Sequence, residues 1–144
     1  MNTTPSRRRE RGAALLEAAI VVPIILLISV GIFEFGRAYQ TWQVLTNAAR
    51  EGARLAIISG STDTDVETRV RNYMSAGQLE NASTATVTIN RDVALTGADT
   101  GSQIIINYPF DFMVLNPVIR LIDSGSTTGQ PITMQSSAVM RNES

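Results

Sequence analysis

AALLEAAIVVPIILLISVGIF, residues 13–33, is the stretch from which the rest of this chain is read. Its 21 residues carry one charge, Glu17. As a helix rising about 1.5 Å per residue, the segment crosses the roughly 30 Å hydrocarbon core of a bilayer. The apolar region of a secretory signal normally runs only about 7 to 15 residues before a small-residue cleavage site. The segment is therefore read as a membrane span.

What flanks the span sets its direction. Arg7, Arg8, Arg9 and Arg11 put a third of the twelve basic residues just before it. The next basic residue after it is Arg37, balanced by Glu34. The positive-inside bias then places the amino terminus in the cytoplasm and everything past residue 33 on the far side of the cytoplasmic (inner) membrane, as a single-pass protein. Phe33, Phe35, Tyr39 and Trp42 cluster just beyond the apolar run, where amphipathic rings favour the membrane–water boundary.

Composition narrows the chemistry. The 144 residues have a formal net charge of −1 and contain no histidine, cysteine or lysine, which removes the imidazole base, the thiolate, the Schiff base and the P-loop lysine. No two carboxylates are paired in an apolar setting. An enzyme is not expected, and neither is a cofactor or a bound metal. Asp63, Asp65 and Glu67 lack the glycine a calcium loop requires at its sixth position, where Thr68 stands, and read as first-turn acids facing a helix dipole. A small exported domain without disulfides must find its support elsewhere, for instance along the extension of the membrane helix.

Within the span two residues exceed what a plain anchor needs. Pro23 cannot donate a backbone hydrogen bond to the Ala19 carbonyl. Glu17 has two readings: a shallow carboxylate reaching back to the cytoplasmic headgroups, or a charge kept in the membrane because a partner neutralises it.

Past residue 33 the helical pattern runs on without proline to about residue 58, an amphipathic extension of the same helix. Ala48, Gly52 and Ala56 recur every four residues with Ala49 and Ala53 beside them, a face small enough for close approach by another element. Arg50, Glu51 and Arg54 read first as solvated charge, with Glu51 and Arg54 spaced to pair. Gly60 ends the helix. Residues 64–67 have capping-box spacing ahead of Val66, Val70, Tyr73 and Met74, predicting a short second helix to about residue 76. Ala85, Val87 and Ile89 alternate with polar neighbours as a half-buried strand; a second strand covers about 102–108, and a third 132–140, with Ile132, Met134, Ser136, Ala138 and Met140 toward the core. Residues 97–101 read as a turn, Asn116-Pro117 as the start of a short helix, and 123–130 as a polar loop. The glycosylation triplets at Asn2 and Asn81 are read as loop polarity. The predicted fold is α+β: one long helix, a short one, and a small antiparallel sheet laid on the outer half of the long helix.

The order of features at the amino terminus resembles a type IV prepilin: a basic leader of residues 1–12 ending at Gly12, then an apolar helix whose fifth residue from Ala13 is Glu17. GAALLEAAIVVPIILLISVGIFEFGRAYQ, LTNAAREGARLA and the late SSAVMRNE together resemble the TadE-like family of tight-adherence (Flp-type) pilus assembly proteins. Ala18 stands where relatives often carry an aromatic residue.

The resemblance implies a pseudopilin, a minor pilin-like subunit for assembly of the pilus, cut by a prepilin peptidase between Gly12 and Ala13. It implies that Glu17 pairs with the new terminal amine of a neighbour. A free terminal amine, which ordinarily titrates at about pH 7.7–8.0, is largely cationic, and a carboxylate in low dielectric needs a cation. It implies too that Arg50, Glu51, Gly52 and Arg54 touch a neighbouring subunit. The expected division is a leader at 1–12, a span at 13–33, an extension at 34–58 and an exported domain at 59–144. The partners implied are the peptidase, other pilins or pseudopilins, the assembly platform and membrane lipid, with no nucleic acid. The alternative is an uncut, membrane-tethered binding or scaffold module.

Overall fold

The computed structural model describes residues 7–95, 99–117 and 130–142. Its elements, in chain order, are helices α1 (Arg7–Ala56) and α2 (Asp63–Ala76) and strands β1 (Thr86–Ala94), β2 (Thr100–Phe110) and β3 (Ile132–Arg141). This is the expected α+β layout of one long helix, one short helix and a small antiparallel sheet. The leader residues 1–6 with Asn2, the turn residues 96–98 and the polar loop over 123–129 lie outside the described residues, as do residues 118–122; the helix expected from Asn116-Pro117 is described only as a helical turn at 115–117.

Helix α1 is 50 residues long and unbroken, about 75 Å at the usual rise. It begins within the leader rather than at Ala13, and passes through Gly12 and Pro23 without interruption. Its outer half buries a stripe of Glu34, Thr41, Leu45, Ala48, Ala49, Gly52, Ala53 and Ala56. Steps of three and four residues keep that stripe on one side. The small residues are what let the domain close on the helix: a Cβ at Gly52 would lie 2.5 Å from Val70 Cγ2 and 3.5 Å from Ile104. At the other end of α2, a Cβ at Gly77 would lie 2.5 Å from Val44 Cγ1.

The long helix stops at Ala56, short of the expected 58, and Gly60 turns the chain at φ +86°. Helix α2 starts earlier than residues 64–67 imply. Its N-cap is Thr62, whose side chain accepts from the Asp65 N–H while Asp65 accepts from the Thr62 N–H. An aspartate fills the role that glutamate or glutamine plays in the standard capping box, which is why the Thr64–Glu67 spacing misleads. Val66, Val70 and Met74 are the buried face of α2.

The strands form one sheet in the order β1-β2-β3, both pairs antiparallel. Strand β2 is the middle one, and its buried residues Ser102, Ile104, Ile106, Tyr108 and Phe110 face the helices. It runs past the predicted end at 108 and through Pro109. Proline is normally barred from a central strand because it lacks a ladder donor. Here β1 pairing ends at Asn107, opposite Thr86, so beyond it β2 has only β3 as a neighbour. The Pro109 carbonyl accepts from the Asn81 side-chain amide, on the flank β1 has left.

Strand β3 keeps the predicted phase, with Met134, Ala138 and Met140 half-buried and Ser136 buried, but it is an edge strand and its first residue, Ile132, is exposed rather than buried. The heart of the core belongs to β2, not to the final strand. Strand β1 bulges between Asn90 and Val93, with Asp92 in the left-handed region at φ 59°. A bulge re-aims the side chains beside it. Here Arg91 donates to the carbonyls of Ala56 and Ser61 and to Asp63, closing the end of α1 onto the start of α2.

Strand β2 runs antiparallel to α1. Its start lies near the end of the helix, where Ser102, Asn142 and Ala56 border one recess, and its end returns to Arg37, whose guanidinium sits 5.4 Å from the Phe110 ring centroid. The domain built from α2, the sheet and the second half of α1 thus lies along the helix from Glu34 onward, leaving no bare stalk between the apolar segment and the fold.

Candidate functional site

Two stretches of α1 hold the residues singled out in sequence. The first is its apolar half. A window of mean hydropathy 2.6 lies wholly outside the packed core of the chain, and Leu15, Leu16, Ile20, Val22, Ile24 and their neighbours present their side chains outward on every face. A helix apolar all round requires an apolar surrounding or partner helices. Its composition and length are compatible with a single-pass membrane protein.

Gly12 and Ala13 sit on this exposed helix, and a Cβ at Gly12 would meet nothing within 4 Å. Glu17 is exposed one turn further on, and Pro23 lies inside the helix on the same run. Ala13 and Glu17 share a face at i, i+4, about 6 Å apart along the axis. Ser29 Oγ donates to the Ile25 carbonyl at 2.8 Å, so its hydroxyl is satisfied within the helix.

The second stretch is where the helix leaves the apolar segment. Its two sides differ. On one, Phe35, Tyr39 and Trp42 stand exposed, with Tyr39 and Trp42 rings tilted at 6.3 Å and the Gln43 amide donating to the Tyr39 hydroxyl at 2.7 Å. On the other, Glu34 is fully buried against residues 113–115. Its carboxylate accepts from the Val114 N–H, lies near the backbone N–H groups of Met113 and Leu115, and pairs with Arg37 at 3.1 Å. Burial alone would push the Glu34 pKa up. The three backbone donors and the Arg37 charge together outweigh that and hold it below the ordinary carboxylate value. Arg37 also reaches the Asp111 carbonyl at 3.4 Å. Beside this junction a polar cleft of about 300 Å³ opens between α1, the α2–β1 loop and the end of β2, lined by Arg37, Thr41, Gln78, Asn81, Tyr108 and Asp111.

The residues read as a subunit contact divide. Gly52 is buried in the chain's own core beneath Val70 and Ile104, so its small size already serves a contact inside the fold. Glu51 accepts from Arg54 at 2.8 Å, the pair expected from spacing, and also from Arg69 on α2 at 2.7 Å, which spacing could not indicate. These two guanidinium groups lower its pKa to about 2. Arg50 and Arg54 are exposed. The acids weighed as a calcium loop are engaged separately: Asp63 with Arg91, Asp65 in the Thr62 cap, Glu67 with Arg71. The Asn81 amide is committed to Pro109.

Reading the sequence missed Glu34 as a structural anchor. Its one local signal was an acid at the mouth of an apolar segment with Arg37 three residues on. Arg91 had none, because a bulge aims it.

Residues 12–54 match the family model for TadE-like proteins, just under a third of the chain; the match covers the first stretch on which the resemblance was drawn and most of the second, and does not reach the late SSAVMRNE. No curated protein and no solved structure matches the chain. The match covers the exposed half of α1, the exit and the stripe beneath the domain, and this family suggests involvement in tight-adherence pilus assembly.

Proposed function

We propose that the chain is a TadE-like pseudopilin, a minor pilin-like subunit that serves tight-adherence pilus assembly through helix packing in the cytoplasmic membrane. The observation that carries this reading is the coincidence of the family match with a helix whose apolar half has every face free for lipid or for other helices. In this reading residues 13–33 span the membrane with the basic leader inside, the prepilin peptidase cuts between Gly12 and Ala13, and the role is structural rather than catalytic.

Cleavage would leave a cationic amine on Ala13, one turn from Glu17 on the same face. A carboxylate and an amine each carry a large penalty in low dielectric, and pairing offsets both. Between neighbouring chains the pair would also set the register of one helix against the next. Of residues 47–54, Asn47, Arg50 and Arg54 are exposed beyond the core stripe, Arg54 with its guanidinium already on Glu51, and Arg50 is the exposed charge left for other pilins, pseudopilins or the assembly platform.

The test is the mass and first residue of the membrane form. In cells that contain the peptidase, the mature protein should begin at Ala13. Gly12→Leu should leave it uncut while the fold persists, because the added side chain meets nothing within 4 Å. Glu17→Gln should insert and be processed but fail to support piliation. Full-length protein from such cells would favour the uncut, membrane-tethered module instead.

A further inference from the structure

We infer that the exported domain has a membrane-seated foot: the turn carrying Met113, pinned by Glu34 at the mouth of the apolar segment, rests its side chain in the lipid interface of the same bilayer that α1 crosses. The inference rests on reading residues 13–33 as the span.

The height of the turn follows from one contact. Glu34 is the first residue beyond the apolar run, and its carboxylate accepts from the Val114 N–H in the turn at residues 113–115. That turn therefore lies level with the outer end of the span. The interfacial layer beyond the hydrocarbon core is roughly 5–7 Å deep on each side, the difference between about 30 and 40–45 Å shared by two leaflets. Met113 is 57% exposed, although its neighbour Phe112 packs edge-on against Phe110 at 5.2 Å. Ile132, paired with Phe110 at the same end of the sheet, is 44% exposed.

An exposed methionine alone means little. What selects lipid as the occupant is the arrangement around the helix. Phe33 and Phe35 are exposed on faces of α1 not covered by the domain, and Met113 is exposed on the domain's side at the same level. A second chain docked on one side would meet one of these groups. A bilayer surface meets all of them, and it is continuous with the apolar segment directly below. Arg37, one turn higher with its guanidinium against Phe110 and Glu34, stands at headgroup level. Trp42 lies about 13 Å past the end of the span along the helix, above that layer. The seat thus predicts an order that sequence position would not: residue 113 sits deeper than residue 42.

The chain has no cysteine, so single substitutions place a unique nitroxide label in the full-length protein reconstituted in phospholipid vesicles. Labels at Ile24→Cys, Met113→Cys, Trp42→Cys and Val139→Cys are compared by paramagnetic relaxation with oxygen, which partitions into lipid, and with a water-soluble nickel chelate. The expected order of oxygen over nickel access is 24, then 113, then 42 and 139. Should Met113→Cys fail to fold, by loss of its far-ultraviolet helical signal, Ile132→Cys takes its place. A label at 113 as open to nickel as one at 139, with 24 deep in lipid, overturns the foot and leaves the span. A label at 24 open to water defeats the span and the foot together. Protection of 113 from both reagents, with spin–spin broadening, makes a second copy the occupant and overturns the inference.

Discussion

The Glu34 carboxylate accepts a hydrogen bond from the backbone N–H of Val114, a residue 80 positions further along the chain. This contact ties the end of the sheet to the point where the helix leaves its apolar half. Replacing Glu34 with Leu would leave the part-buried Val114 N–H without its acceptor, and an unsatisfied group of this kind costs about 1–3 kcal/mol. We predict that Glu34→Leu lowers the melting temperature of the full chain in detergent, with Glu34→Gln intermediate because its amide oxygen still accepts. The folded pKa is depressed, so the charge contributes stability above the unfolded-state value, and that contribution is lost as pH falls through the folded one. A Glu34→Gln melting curve that loses as much stability as wild type on acidification would show that the carboxylate is not the group responsible.

Gly52 and Val70 mark a close approach of α2 to α1. Alanine in place of glycine gains up to about 1 kcal/mol of helix propensity, but overpacking against a stiff valine costs about 1–3 kcal/mol. Gly52→Ala should therefore destabilise the chain by about 1 kcal/mol. In a Val70→Ala background, where the space is vacated, the same change should stabilise it. Chemical denaturation of the four proteins measures the coupling, and simple additivity would show that the two sites do not press on each other.

Glu51 holds Arg54 and Arg69 together across α1 and α2. Its pKa of about 2 means that the cluster supports the fold at neutral pH and loses that support as pH falls from the ordinary carboxylate range toward about 2. Both arginines are more than half exposed; pairs of this kind contribute about 0.2–1 kcal/mol. A double-mutant cycle of Glu51→Gln with Arg69→Ala should yield a coupling in that range at neutral pH, shrinking toward zero in acid or high salt. A coupling indifferent to both would assign the effect to packing of the Arg69 stem.

Arg91 uses three different nitrogens to reach Asp63, Ala56 and Ser61. A lysine carries one compact charge and cannot reproduce that fork. Arg91→Lys should recover little of what Arg91→Ala loses, about 1–3 kcal/mol in total, and amide exchange should accelerate first in the last turn of α1. Full rescue by lysine would reduce the role of Arg91 to its charge.

Removal of β3 by truncation before Ile132 exposes the inner edge of β2 along its whole length, since the pairing runs from Gly101 to Phe110. An uncovered apolar edge strand is a template for association. The truncated chain should insert in membranes as before, because the apolar half of α1 lies outside the packed core, while its sheet-bearing part becomes protease-sensitive and aggregates. Survival of a protease-resistant fragment with an unchanged melting transition would place the essential core in α1, α2 and β1–β2 alone.

The sequence by itself determined the features whose hydrogen bonds close locally. A helix satisfies its backbone within four residues, so the apolar run and the stripe of alanines were enough to give α1 and its buried side, and period-two alternation was enough to orient β1 and β3. The i, i+3 pair of Glu51 with Arg54 was legible for the same reason, as was the one-turn spacing of Ala13 and Glu17; that the helix begins back at Arg7 and takes in Gly12 was not. Only the tertiary structure decided that β2 lies between β1 and β3, that it continues through Pro109 because β1 has already ended, that Arg69 joins Glu51, and that Gly52 is filled by Val70 of the same chain. It alone joined Glu34 to Val114. Strand order, a bulge's aim and a carboxylate's distant donors depend on which surfaces meet once the apolar faces are buried, and no local spacing encodes that.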